Sequence, residues 1–511
     1  MNAGTKSSNT DLKAIFCAML ALVVVFHIGS VLRGKGQMRD MHLGTALHYA
    51  QTKMDLADTV IVGFNATGTP TVQELPVWQM AAGLAFKIFG TSWWGWGNVV
   101  SLALFLNCLF PLFQIARMHL DERRAWWTLI FFLTEPLVFL YAGTAGTDGF
   151  CLSTMVWFLY AGAMLVREPG FKWLAAACAF GTLAAVSKLP FFMAAGIALF
   201  FVVLWQHGFC FKRLAFLAAA GGVAGVLFLL WTHKTDDLQA NAVFPLSDLR
   251  LNGKSSGVTM MFWYFGDLHY RLSPGNWIKG GWRIMTGLLG GFALVGLVAL
   301  ALANNKKGNP MSRCLLAGVA LTMLVFTHLI LHHWHYYLML APAMAMLCAE
   351  GLGILEARIS PSNPRPMTGI FVSMLLGLSL LQGLMAMRAL TYDPYTAQMA
   401  GIIRQHTAAS DKLVVIGGSW GGEELMRANR QGVSAWTGHI FDRPEDLTKL
   451  KSLGYNKVVL ISESPLHNAI QVVNPGQAGT VRGFYTGLLT PQMADWPTIV
   501  QTPDILIKEI P

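Results

Sequence analysis

The chain has 511 residues, 54% hydrophobic and only 13% charged, with a formal net charge of +10 and a mean hydropathy of +0.48. Soluble domains carry about 25% charged residues, so this deficit, with continuous apolar runs of about 20 residues, excludes an ordinary soluble fold and an alternating β-barrel. The basic residues sit in short loops between apolar runs and form no basic stretch with interleaved aromatics, a pattern that excludes nucleic acid as a partner.

Apolar runs near 14–31, 94–116, 125–142, 149–166, 173–187, 190–206, 214–231, 284–303, 314–331, 336–356 and 367–390 predict about eleven membrane-spanning helices. The first is read as a retained helix, because no small-residue cleavage site follows it. With Lys6 and Lys13 placed in the cytoplasm, alternate loops hold Arg117, Arg123 and Arg124; Arg167 and Lys172; Lys212 and Arg213; Lys306, Lys307 and Arg313; Arg358 and Arg365. Every short inner loop then carries at least two cations, as the positive-inside rule requires. The seven cysteines lie in or beside apolar runs without disulfide or metal-ligand spacing, which suits packing.

This orientation sends three long pieces outward: loops 32–93 and 232–283, and the tail 391–511. In the tail, Lys412–Gly418, a VSAWTG segment and a KVVLISES segment read as strands, with an amphipathic helix between the last two. The expected architecture is an all-α polytopic membrane bundle over 1–390 with a small C-terminal α/β extracytoplasmic domain over 391–511. The glycine-rich Gly417–Gly422 turn lacks the spacing of a dinucleotide or P-loop site.

The chemically distinctive residues fall almost wholly on the outer side. Arg39 and Asp40 open the first loop, which later reads Glu74-Leu75-Pro76-Val77-Trp78-Gln79. Asp148 ends a turn of small residues at the start of the fourth span, where a charge is costly and is functional, paired or a helix cap. Glu135 lies inside the third span, before Pro136. Lys188 separates two short spans beside Pro190, as a snorkelling cation or a point charge for phosphate. The second loop offers Asp267, His269, Tyr270, Arg271 and Trp277, then Lys279 and Arg283. The densest cluster is His328, His332, His333, His335, Tyr336 and Tyr337; without an HExxH or a completing acid or cysteine it is read as hydrogen-bonding, with no metal and no cofactor.

In their order these features resemble the GT-C superfamily of membrane glycosyltransferases that take sugar from a polyprenyl phosphate, among them protein O-mannosyltransferases and lipid A aminoarabinose transferases. The resemblance rests on Arg39-Asp40 with Thr45-Ala46, on Glu74 to Gln79, and on His335-Tyr336-Tyr337 before Pro342, and spans roughly 14–390. It implies an inverting hexosyl- or pentosyltransferase in a bacterial inner membrane, N-terminus cytoplasmic. Donor would be a polyprenyl-phosphate sugar and acceptor an envelope glycan, glycolipid or protein. Asp40 would be the general base and Asp148 a second acid of the cavity. Arg39, Glu74, Lys188, His269, Arg271, His335, Tyr336 and Tyr337 would bind substrate. Met41 stands where protein-acting mannosyltransferases carry a second adjacent acid, which weighs against a protein acceptor. A transporter or flippase for a lipid-linked or polar substrate is the alternative, set against by polar clusters at one surface and by the lack of repeats.

Overall fold

The computed structural model describes residues 3–32, 40–56, 63–64, 74–240, 254–255, 258–290, 292–304, 310–359, 372–382, 385, 394–418, 422–435, 444–461, 491–502 and 504–511. The chain divides into two compact units, one of Met1–Gln37, Asn98–Trp231 and Met261–Thr391, the other of Met38–Gly97, Thr232–Met260 and Tyr392–Pro511.

Helices make up the first unit. Among the described residues six are long and apolar enough to cross a membrane: Asp11–Leu32, Gly95–His119, Asp148–Arg167, Leu189–His207, Phe211–Leu238 and Trp334–Arg358. The Glu122–Thr134 and Pro136–Ala142 helices, bent by 71°, make a seventh if counted as one span. Shorter apolar helices lie at Val77–Phe89, Phe171–Ser187, Leu294–Ala303, Pro310–Val325 and Val372–Gln382. The chain is thus a multi-pass membrane protein with six to seven full-length candidate spans among the described residues. The other apolar runs form shorter or interrupted helices.

Three breaks illustrate why. Pro136 lacks an N–H and crowds the carbonyl four residues back, so Glu135 turns extended and the third run kinks. Lys188 is extended (φ −154°, ψ 101°) between the Phe171–Ser187 and Leu189–His207 helices, with Pro190 in the first turn of the second. The expected 284–303 span is interrupted at Leu288–Gly290, where Gly290 takes φ 54°. An amphipathic helix, Pro274–Gly287, precedes that interruption and Phe292–Ala303 follows it.

Packing between spans uses small residues, as close backbone approach in a bilayer requires. Gly318 lies against Ala194 and Ala198 of the Leu189–His207 helix, and a Cβ there would fall 3.0 Å from the Ala198 amide nitrogen. Arg313, counted above as an inner-loop cation, is largely buried, 3.1 Å from Glu350, and donates to the Ala301 carbonyl at 2.6 Å.

The second unit holds a six-stranded mixed sheet. Its strands are β1 (Gly63–Phe64), β4 (Lys412–Ile416), β5 (Gln431–Ala435), β6 (Tyr455–Ile461), β7 (Thr498–Gln501) and β8 (Ile505–Glu509), in the order β1-β5-β4-β6-β8-β7. The hairpin Lys254–Ser255 and Val258–Thr259 supplies β2 and β3. β5, β4 and β6 are parallel, and β1, β8 and β7 add antiparallel edges. Val414, Ile416, Val458 and Leu460 form its fully buried centre. The Asp40–Gln51 and Val77–Phe89 helices also belong here, with Gly83 seated on Tyr49 and Ala46. In the glycine-rich turn, Gly417 and Gly422 have positive φ, and residues 419–421 lie outside the described set.

Candidate functional site

The first unit brings four of the expected residues together. Asp148 is the first residue of the Asp148–Arg167 helix, where the exposed amide ends favour a carboxylate. It is 1% exposed. Lys188 Nζ donates to its Oδ1 at 2.7 Å, and His335 Nε2 stands 3.9 Å from the same oxygen. Tyr336 closes the group, its ring 5.2 Å from Lys188 Nζ and 4.4 Å from the His335 ring. A buried ion pair in this setting is held by geometry and additional polar contacts, since both charges have left water.

Each member is placed by a local backbone device. Lys188 reaches Asp148 because the Phe171–Ser187 helix ends there and its chain turns extended before Pro190. The turn before Asp148 is pinned by Asn98, whose side chain donates to the Gly143 carbonyl at 2.7 Å, and by Ser101, which accepts from the Gly146 amide at 3.3 Å. Small residues are needed in that turn. Gly143 packs directly on the His27 ring, itself fixed by a 2.8 Å bond to the Phe139 carbonyl, and a Cβ on Gly149 would meet the Tyr141 carbonyl at 3.3 Å. His335, Tyr336 and Tyr337 lie in a 3-10 segment, Trp334–Leu340, all three buried. The tighter 3-10 turn stacks residues three apart.

A chain of rings leads away from this group. His335 is followed by His333 at 5.2 Å, His332 at 4.9 Å from His333, and His328 stacked 5.3 Å from His332. Trp263 touches His328, His332 and His333, and its carbonyl accepts from His328 Nδ1 at 2.9 Å. Tyr270 stacks 4.7 Å from His328, and burial pushes its phenol up. The histidines are thus joined by ring contacts, one stacked, one edge-on and one tilted, and among the described residues no three His, Cys, Asp or Glu converge as metal ligands.

Other expected residues stand elsewhere. Arg271 gives its guanidinium to the backbone carbonyls of Phe265 at 2.8 Å and Val325 at 3.2 Å. His269 is exposed on the short Leu268–Leu272 helix. Tyr337 is fully buried against the Pro274–Gly287 helix near Gly280. In the second unit, Asp40 is the first residue of the Asp40–Gln51 helix, Glu74 is half-buried ahead of Val77–Phe89, and Arg39 lies outside the described residues. The motif around Glu74 ties down there: Gln79 donates to His42 Nδ1 at 2.9 Å, with both side chains buried and Trp78 beside them. Asn98 and Trp263 acquire supporting roles that their sequence context did not signal. Asn98 was one polar residue in an apolar run, and Trp263 passes for part of an interfacial belt.

Residues 73–231 match the family model of the dolichyl-phosphate-mannose-protein mannosyltransferases. No curated protein sequence matches the chain. Among solved structures, ArnT from Cupriavidus metallidurans bound to undecaprenyl phosphate is similar with a TM-score of 0.62 and 13% identity, over 98% of both chains. The same protein in its apo state gives 0.59 and 15% over the same share of each. The Archaeoglobus fulgidus oligosaccharyltransferase gives 0.53 and 10%, over 92% of this chain and 71% of that one. At such identities the likeness is one of fold. Together with the mannosyltransferase-family segment at residues 73–231, it gives this chain the fold of the GT-C membrane glycosyltransferases.

Proposed function

We propose that the protein is an inverting transferase that moves a hexosyl or pentosyl unit from a polyprenyl-phosphate donor to an envelope glycan, glycolipid or protein. The observation that carries this reading is the buried group of Asp148, Lys188, His335 and Tyr336 in a fold whose ArnT representative is bound to undecaprenyl phosphate. A carboxylate, a cation and two ring groups set where water is scarce suit a phosphate leaving group, whose developing charge needs a preorganised cation.

In the proposed reaction the Asp40 carboxylate takes the proton of the acceptor hydroxyl as its oxygen bonds to the anomeric carbon. The bond from that carbon to the phosphate oxygen breaks with its electron pair, and polyprenyl phosphate departs. Lys188 and His335 neutralise it, and Asp148 orients Lys188 and the incoming substrate. The resemblance assigns Arg39, Glu74, His269, Tyr336 and Tyr337 to the binding of donor and acceptor. Arg271, held on two carbonyls, shapes its loop and offers its remaining charge. The role of Asp40 rests on its sequence motif.

The same reading puts the N-terminus in the cytoplasm, the Phe171–Ser187, Leu294–Ala303, Pro310–Val325 and Val372–Gln382 helices across the bilayer as further spans up to about eleven, and residues 391–511, whose sheet also takes in β1, outside a bacterial inner membrane. The test is transfer of labelled sugar from a polyprenyl phosphate in vesicles carrying purified protein. Asp40→Asn is expected to abolish product while donor binding persists. Undiminished transfer by that variant removes Asp40 as the base, and counterflow of lipid without covalent product favours a flippase.

A further inference from the structure

The Pro274–Gly287 helix has its polarity turned inside out. Gly280, Arg283 and Gly287 are buried at helical spacing, while Ile278 and Trp282, one turn apart, are 72% and 59% exposed. Just before it, Leu268 and Leu272, also one turn apart, are about as exposed. In water such an element would hide its leucines and solvate its arginine. The inward face is nevertheless well made. The Arg283 guanidinium donates to the Leu331 carbonyl and lies 5.2 Å over the Trp334 ring. At Gly280 an added Cβ would meet Leu331 at 2.7 Å and the Tyr337 hydroxyl at 3.1 Å, so only glycine admits the contact. Asn276 and Trp277 donate to the Tyr270 and Arg271 carbonyls, tying the helix to the Leu268–Leu272 turn.

The helix holds Lys279, Arg283 and Asn276 within 14 residues and is too short and polar to cross a bilayer. Yet it cannot sit far from one. Gly287 is five residues from Phe292, the first residue of the apolar Phe292–Ala303 helix, and an extended chain of five residues reaches at most about 18 Å.

We propose that residues 268–282 form a shelf lying in the plane of the membrane surface, with Leu268, Leu272, Ile278 and Trp282 docked among the acyl chains of bilayer lipid. Lys279, flanking that face, meets the headgroups, and tryptophan suits the same depth. Arg283 and Gly280 fasten the back of the shelf to Leu331, Trp334 and Tyr337, so the lipid surface sets the height of the segment that carries His335 and Tyr336. Acyl chains are the occupant because the exposed face pairs aliphatic side chains with one tryptophan and the flanking Lys279, beside the wholly apolar Phe292–Ala303 helix.

The test is nitroxide accessibility on the full-length chain with its seven native cysteines replaced by alanine. Labels go on Leu272→Cys, Ile278→Cys, Trp282→Cys and, as an exposed reference, Lys451→Cys in the sheet-bearing unit. The protein is reconstituted in vesicles of phosphatidylethanolamine and phosphatidylglycerol, and collision with oxygen is compared with collision with a water-soluble nickel chelate. The expected result is a several-fold higher oxygen-to-nickel ratio at 272, 278 and 282 than at 451. Ratios equal to that at 451 would mean a water-facing helix and overturn the proposal. Immobile labels shielded from both reagents would mean a protein partner and overturn it equally. Three independent positions keep the outcome readable if one variant fails to fold.

Discussion

Replacing Lys188 by methionine keeps the stem and removes the charge. Lys188 Nζ and Asp148 Oδ1 are 2.7 Å apart with side chains 3% and 2% exposed. At an effective dielectric of about 20 two unit charges at that distance attract by about 6 kcal/mol. Desolvation of both offsets much of this, but removing one partner leaves the other charge buried, which costs about 3–5 kcal/mol. Lys188→Met is therefore expected to lower the thermal midpoint of the detergent-solubilised protein by at least about 5 °C. Asp148→Asn in the same chain removes the orphaned carboxylate, and the double variant should recover at least half of the loss. The coupling between the two sites would then be about 1.5 kcal/mol or more, as for close buried charge pairs elsewhere. Intrinsic fluorescence during a heating ramp, with size-exclusion profiles before heating, reads both quantities. A Lys188→Met midpoint within a degree or so of the parent, or a double variant that falls by the sum of the singles, refutes the argument.

Three further outcomes are expected. Glu135 is 2% exposed, and among the described residues neither carboxylate oxygen has a hydrogen-bond partner; Glu135→Met should leave the midpoint unchanged or raise it, and a fall of several degrees would show that the acid is paired. Gly318→Leu should force the Leu189–His207 and Pro310–Val325 helices apart, costing about 1–3 kcal/mol, visible as loss of the monodisperse peak or a lower midpoint; an unchanged profile would contradict the close approach. His335→Asn, whose ring is 3.9 Å from Asp148 against 2.7 Å for Lys188, should cost less than half the stability lost in Lys188→Met while reducing sugar transfer in the vesicle assay by at least about tenfold. A larger thermal loss than Lys188→Met would make His335 a structural prop.

How much of this was readable beforehand varies by element. Lys188 and Asp148 were both flagged because charge at a membrane boundary is expensive, and that physical cost is also what pairs them 40 residues apart. Their partnership itself was invisible, since it depends on helix register and on an extended residue before Pro190. The His335-Tyr336-Tyr337 run was conspicuous, but its 3-10 geometry, which separates Tyr337 from its neighbours toward Gly280, was not. Arg271 stood out as a candidate phosphate ligand, and its Nε and Nη2 bonds to two carbonyls were not legible, because loop carbonyls compete for guanidinium donors just as anions do. In the tail, β4 and β6 announced themselves as apolar β-branched runs, and β5 was found through the VSAWTG segment that overlaps it. β7 and β8 passed unnoticed, since Thr498–Gln501 is almost wholly exposed and Ile505–Glu509 is too short and mixed to stand out. The break at Lys188 was legible from Pro190, whereas the one at Leu288–Gly290 was not, because hydropathy averages over a window and does not register a short turn.

The extended residue at Lys188 has a cost beyond its own charge. A helix that stops inside a bilayer strands its final carbonyls, and the helix that restarts strands its first amides. Here only Lys188 separates the two, its amide still bonded to Ala184 and its carbonyl accepting from Phe191. The remaining orphan groups are intolerable against hydrocarbon and acceptable only against protein or a watery recess. Ser187 and Lys188 are both buried, so the break meets that demand by facing protein, and this fixes which way the two helices are rotated.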